Sequence, residues 1–170
     1  MVALGVLVGA GRPAGELVRR PLLGVGAVLL AFAVLVSFAS PRLAERSVRA
    51  STRALDDGDF ERARDGALRA RSLNPLSVDP VFALARIEER RGRLAAAEDR
   101  YVEAVNLQPE NPATWYALGL FEFEALAEMC SAYKYLNEAY TLDPSGNQWL
   151  RGGPLDVARD AVNAGACEPS

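Results

Sequence analysis

The chain has 170 residues, 50% of them hydrophobic, and a formal net charge of −3. That balance offers nucleic acid no general electrostatic footprint. There is no histidine, and the only cysteines are Cys130 and Cys167. The commonest general acid–base group is therefore absent, and the thiols are too few for a zinc site.

Residues 1–21 form a short N-terminal segment. Its apolar opening, MVALGVLVGAG, reads as the end of another hydrophobic stretch, as in a fragment of a larger membrane protein. Residues 22–40, LLGVGAVLLAFAVLVSFAS, carry no charged side chain. A helix of that length reaches about 28 Å, close to a hydrocarbon core of about 30 Å, so a transmembrane helix is expected. Two alternatives stay open: a buried core helix, and a signal peptide cleaved after the small residues at Ser37 and Ala39. Arg12, Arg19 and Arg20 precede the stretch, and Arg42, Arg46, Arg49 and Arg53 follow it. The positive-inside count is nearly balanced and leaves orientation open. Its glycines read as membrane-packing positions, since no GxGxxG pattern is present.

From Arg42 onward the chain repeats. SLNP, NLQP and TLDP end at Pro75, Pro109 and Pro144, spaced by 34 and 35 residues. Before each proline stands a triad: Ala63, Ala67 and Ala70; Ala97, Tyr101 and Ala104; Ala132, Leu136 and Ala139. Offsets of three and four put each triad on one helix face. Gly58 and Gly92 are also 34 apart and suit a positive φ at a turn. Asp79 and Thr114 are placed to open the helices that follow the prolines. A one-residue insertion in the third copy is expected around LAEMC, residues 126–130.

At these residues the sequence resembles the tetratricopeptide repeat family. Trp115, Leu118 and Gly119 match the first helix of its motif. Ala85, Gly92, Ala97, Tyr101, Ala104 and Pro109 match the second copy, and Ala54, Gly58, Phe60, Ala63, Ala70 and Pro75 the first. Ser47 and Ser51 depart from it, standing where an aromatic residue and a glycine are usual. The resemblance implies an all-α fold: a right-handed superhelix of three antiparallel helix pairs at about 42–76, 77–110 and 111–145. Residues 154–166 follow as an amphipathic capping helix, opened by Pro154 and ended by Gly165.

In this family the first helix of each pair lines a concave groove that receives a protein or peptide segment. Carried onto this chain, that points to Val48, Thr52 and Leu55; to Phe82, Arg86, Glu89 and Arg90; and to Tyr116, Leu120, Phe123 and Glu124. The competing reading is that the apolar members only pack against neighbouring helices. Cys130 begins the second helix of the third pair, and Cys167 ends the cap. An antiparallel course would bring them together as a disulfide, and so place the repeats outside the cytoplasm. Two unrelated thiols are the alternative.

No nucleophile–base pair is legible, and no cofactor or metal is expected. Lys134, Glu122, Glu124 and Glu128 read as a solvated face. The function expected is a non-catalytic, membrane-anchored scaffold for protein–protein interaction. The alternatives are the C-terminal tail of an O-antigen ligase or polymerase-like protein of cell-surface glycan assembly, and a secreted periplasmic repeat module.

Overall fold

The computed structural model describes residues 42–167. The N-terminal segment 1–21 and the apolar stretch 22–40 lie outside the described residues. Among the described residues, no helix is long and apolar enough to cross a membrane.

The described chain is all-α. Helix α1 covers 42–56, followed by α2 (Phe60–Leu73), α3 (Asp79–Arg90), α4 (Leu94–Leu107) and α5 (Pro112–Phe121). A π-helical turn, Glu122–Leu126, extends α5, and α6 (Met129–Leu142) and α7 (Pro154–Asn163) complete the order. Each helix from α2 onward packs on its successor in the chain. Short connections favour this arrangement, because antiparallel neighbours need only a few residues to join them.

The triads of α2, α4 and α6 are the seam. Eight of their nine residues are fully buried, and Tyr101 is 7% exposed. Opposite them, α1, α3 and α5 each present a small residue: Ser51, Ala85 and Gly119. Sizes are complementary across the seam. Ser51 faces Gly66, Ala85 packs with Tyr101, and Gly119 lies against Leu136. Ser51 is 1% exposed, and its hydroxyl donates to the Ala63 carbonyl at 2.7 Å, so its polarity is satisfied inside the seam.

Gly58 and Gly92 adopt φ of 79° and 72°. A left-handed residue there lets the chain reverse between paired helices. In the third pair the equivalent residue is Ala127, at φ 56°. The inserted residue is absorbed within the helix rather than in the turn at 126–130. The chain widens to π-helical bonding over Glu122–Leu126, and the amides of Ala127 and Glu128 both return to the Glu122 carbonyl. Alanine pays a steric penalty of about 1 kcal/mol in this region. Ala127→Gly is therefore expected to raise unfolding stability by about 1 kcal/mol, and Gly92→Ala to lower it by a similar amount. Paired urea titrations check this, and an unchanged midpoint for both would contradict it.

Helix starts differ from the sequence expectation. Thr114 does not open α5. It is fully buried inside the first turn, and its hydroxyl donates to the carbonyls of Asn111 (2.7 Å) and Gln108 (3.1 Å). The cap is Asn111, whose side chain accepts from the Ala113 amide at 3.0 Å. Asp79 begins α3 without capping it, since the cap position is Val78 and has no side-chain cap bond.

Cys130 and Cys167 form a disulfide with their Cα atoms 5.7 Å apart. It ties the start of α6 to the chain beyond α7.

Candidate protein-binding groove

Helices α1 and α3 enclose a cavity of about 180 Å³, lined by Val48, Thr52, Leu55, Phe82 and Arg86 from the expected set. Ser51, Asp79 and Ala83 complete its wall. Leu55 and Arg86 also line an adjoining cavity of about 160 Å³, together with Asp56, Glu89 and Arg90. Seven of the eleven expected residues thus gather along α1 and α3. They do not all present themselves alike. Leu55 is 5% exposed and packs with Ala54, Ala63 and Ile87, so it serves as floor. Phe82 is half-buried, with its ring 6.3 Å from that of Tyr101. Arg86 and Arg90 are exposed and supply positive charge at the rim. The Thr52 hydroxyl is committed to the Val48 carbonyl at 3.2 Å.

Glu89 has a structural partner: it accepts a hydrogen bond from the Tyr101 hydroxyl at 2.9 Å. Burial, and then the charge and hydrogen bond of Glu89, push the Tyr101 phenol well above its usual range. Arg86 opposes this and Glu124 adds to it. A phenol with a raised folded pKa contributes stability that is complete below its unfolded pKa of about 10 and is lost as pH rises beyond it. Wild type is expected to lose stability steeply above about pH 10, and Tyr101→Phe to lose less. Urea midpoints measured from pH 8 to pH 11.5 test this, and equal slopes in the two proteins would refute it.

The third-pair residues line neither of these two cavities. Tyr116 packs edge-on against Trp149, with ring centroids 5.5 Å apart, and lines a separate cavity beside α6 and α7. Burial and the neighbouring Glu124 charge raise its pKa. Leu120 and Phe123 are half-buried, and Glu124 is exposed. Phe123 and Glu124 sit in the π-helical turn, which rotates them relative to a regular α5. Nor are the glutamates of this region a uniform solvated face. Glu122 is 3% exposed, and its pKa is raised by desolvation and by the charges of Glu98 and Glu128. Lys134 is exposed, with its ammonium 5.2 Å from the Tyr135 ring centroid.

A tetratricopeptide repeat family model matches residues 78–121, which span α3, α4 and α5. The first tetratricopeptide domain of Spaghetti (RPAP3), bound to an HSP90 peptide, superposes with a TM-score of 0.57 at 19% identity. The match covers 75% of this chain and 96% of that one. The fold is a tetratricopeptide solenoid. Also similar are the Sgt2 domain from Aspergillus fumigatus and the Yersinia enterocolitica secretion chaperone SycD in complex with a peptide of the translocator YopD. The first has a TM-score of 0.59 at 18% identity, covering 75% of this chain and 85% of that one. The second has a TM-score of 0.59 at 13% identity, covering 72% and 94%. No curated protein matches the sequence.

The tetratricopeptide frame also identifies what the sequence reading overlooked. Trp149 stands 34 residues after Trp115. Each indole N–H donates to the carbonyl six residues earlier, Trp115 to Pro109 at 2.7 Å and Trp149 to Asp143 at 2.6 Å. Trp149 thus repeats the indole-to-backbone bond of Trp115 beyond the third pair, one residue short of the 35-residue register that relates Pro109 to Pro144. Its spacing from Trp115 was the available signal.

Proposed function

We propose that this chain is a non-catalytic tetratricopeptide scaffold that binds a protein or peptide segment in the groove between α1 and α3. The observation that carries the reading is the pair of adjoining cavities there, with an apolar floor at Leu55 and Phe82 and exposed guanidinium groups at Arg86 and Arg90. Apolar area supplies affinity, and the mixed charge of the rim, Arg86 and Arg90 beside Asp56, Asp79 and Glu89, orients the occupant. Two of the similar structures hold peptides, which supports a peptide as the occupant.

The apolar stretch 22–40 supports membrane anchoring of this scaffold, and the Cys130–Cys167 disulfide supports an extracytoplasmic position for its repeats. The glycan-assembly alternative gains nothing from the fold, which is that of an interaction module.

Arg86→Glu is the decisive variant, because Arg86 is exposed and its reversal leaves the core untouched. Reversing an interface charge of this kind costs about 2 kcal/mol, near thirtyfold in affinity. A pull-down comparing wild type, Arg86→Glu and Phe82→Ala is expected to show partner loss in both variants at an unchanged melting temperature for Arg86→Glu. Full retention of every partner by both would overturn the groove assignment.

A further inference from the structure

Beyond the groove, and sharing no residue with it, a cavity of about 250 Å³ lies where Tyr116 of α5 meets the end of α6, the 143–153 connection and the start of α7. Three rings form its apolar corner. Trp149 meets Tyr116 at 87° and Tyr140 at 80°, with centroids 5.5 and 5.4 Å apart. The indole N–H is turned away into its bond with Asp143, which fixes the Trp149 ring as a wall.

The polar part of the lining divides into used and unused groups. Asp156 is used, because it pairs with Arg159 and accepts from the Gly152 amide at 2.9 Å. Arg151 is exposed and pairs with no carboxylate among the described residues. The side-chain amides of Asn137 and Gln148 and the hydroxyls of Tyr116 and Tyr140 make no hydrogen bond to another described side chain or backbone group. Five lining side chains, of which Asn137, Tyr140 and Arg151 are exposed, therefore keep free hydrogen-bonding capacity around one aromatic corner, with one surplus positive charge in the lining.

Each feature narrows the ligand. The volume lies below the roughly 300 Å³ at which sites for drug-sized molecules begin, so one ring is the natural occupant. Perpendicular aromatic walls accept a flat apolar ring face. Amides and phenols bind hydroxyl or carbonyl groups at its edge. Among the lining residues a cation is disfavoured: Asp156 is paired with Arg159 and Arg151 adds a repulsive charge, while Glu124, whose charge reaches Tyr116, stands outside the lining. A guanidinium with open donors matches a carboxylate or phosphate.

We propose that this cavity is a small-ligand site for a monoanion built on a single six-membered ring, with the ring against Trp149 and the anion on Arg151. A sugar acid and an aromatic acid share that chemistry, and the experiment separates them. The inference does not rest on the groove reading, so either can fail alone.

The chain has two tryptophans, and only Trp149 lines the cavity. In the disulfide-intact full chain, the Trp149 indole N–H resonance reports the site and Trp115 is the internal control. The probes are D-glucuronate against methyl glucoside, benzoate against benzyl alcohol, and tetramethylammonium. One acid is expected to shift Trp149 saturably, leave Trp115 unmoved, and bind about tenfold tighter than its neutral counterpart. Glucuronate as that acid identifies a saccharide ligand, and benzoate an aromatic acid. Arg151→Gln, at an exposed position, is expected to retain the fold and erase the tenfold difference. The proposal is overturned by no saturable shift with either acid, by equal binding of acid and neutral counterpart, by a difference that survives Arg151→Gln, or by preferential binding of tetramethylammonium.

Discussion

Removing the Cys130–Cys167 bond is expected to cost about 4 kcal/mol, the largest effect of any change away from the core. The bond closes a loop of 37 positions, and chain-entropy accounting for a loop of that length yields this figure. Everything from α6 to the end of α7 lies inside the loop. The non-covalent hold on α7 is thin: Ala158 is its one fully buried residue, and Val157 is 43% exposed. Loss of the tether should therefore first release α7 and the 143–153 connection, with α1 to α5 remaining folded. In a Cys130→Ser/Cys167→Ser variant, the Trp149 signal is expected to change at lower urea than the helical circular dichroism. Coincident transitions at the wild-type midpoint would show that the bond contributes nothing. Thiol titration of denatured, unreduced protein provides the companion measurement, with no free thiol expected.

Gly119→Ala should be the most damaging single methyl in the described chain. A Cβ at Gly119 would lie 2.7 Å from Leu136 Cγ, 2.9 Å from its Cδ2 and 2.9 Å from its backbone nitrogen. A rotamer change could relieve the first two contacts but not the third, because backbone nitrogen belongs to α6 itself. Helices α5 and α6 must then move apart, opening the seam around Leu118, Leu136 and Ala139. Overpacking of this kind costs about 2 to 3 kcal/mol, against which alanine recovers at most about 1 kcal/mol of helix propensity. The net loss should be about 2 kcal/mol by urea denaturation. Stability at or above wild type would mean that the helices yield more easily than their contacts indicate. Gly66→Ala is a milder comparison, because the nearest atoms to its added Cβ lie at 3.0 to 3.1 Å, all on Ser51.

The same contacts explain how much was legible beforehand. Periodicity reported the seam because small residues at offsets of three and four have one use, close helix approach. The glycines at 58 and 92 reported the reversals because φ above zero is costly for other residues. Ala127 hid the third reversal, and only the backbone reveals it. The insertion was legible as a spacing of 35 in place of 34, but not its location: a helix widened to π bonding and a longer turn consume the same extra residue. Asn111 and Thr114 illustrate a similar ambiguity, since both residue types cap helices and burial decides which one does.

The residues of the expected groove do not all share one cavity. Val48, Phe82 and Arg86 line one cavity, whereas Glu89 is engaged by Tyr101 and Tyr116 belongs to the aromatic corner near α7. A helix-face argument assigns every residue of one stripe to one surface. It does not register a side chain that arrives from another helix or loop and claims a member, as Tyr101 does Glu89 and Trp149 does Tyr116.

By itself, then, the sequence determined the helical pairing, the register of the seam and the two residues able to form a bridge, because each depends on local spacing and residue size. Tertiary structure decided where the extra residue of the third unit went, which of the expected residues line a common cavity, and that Trp149 closes a pocket over Tyr116. Those outcomes depend on which distant side chains meet, and that is set by the summed rotation of successive helices rather than by any one of them.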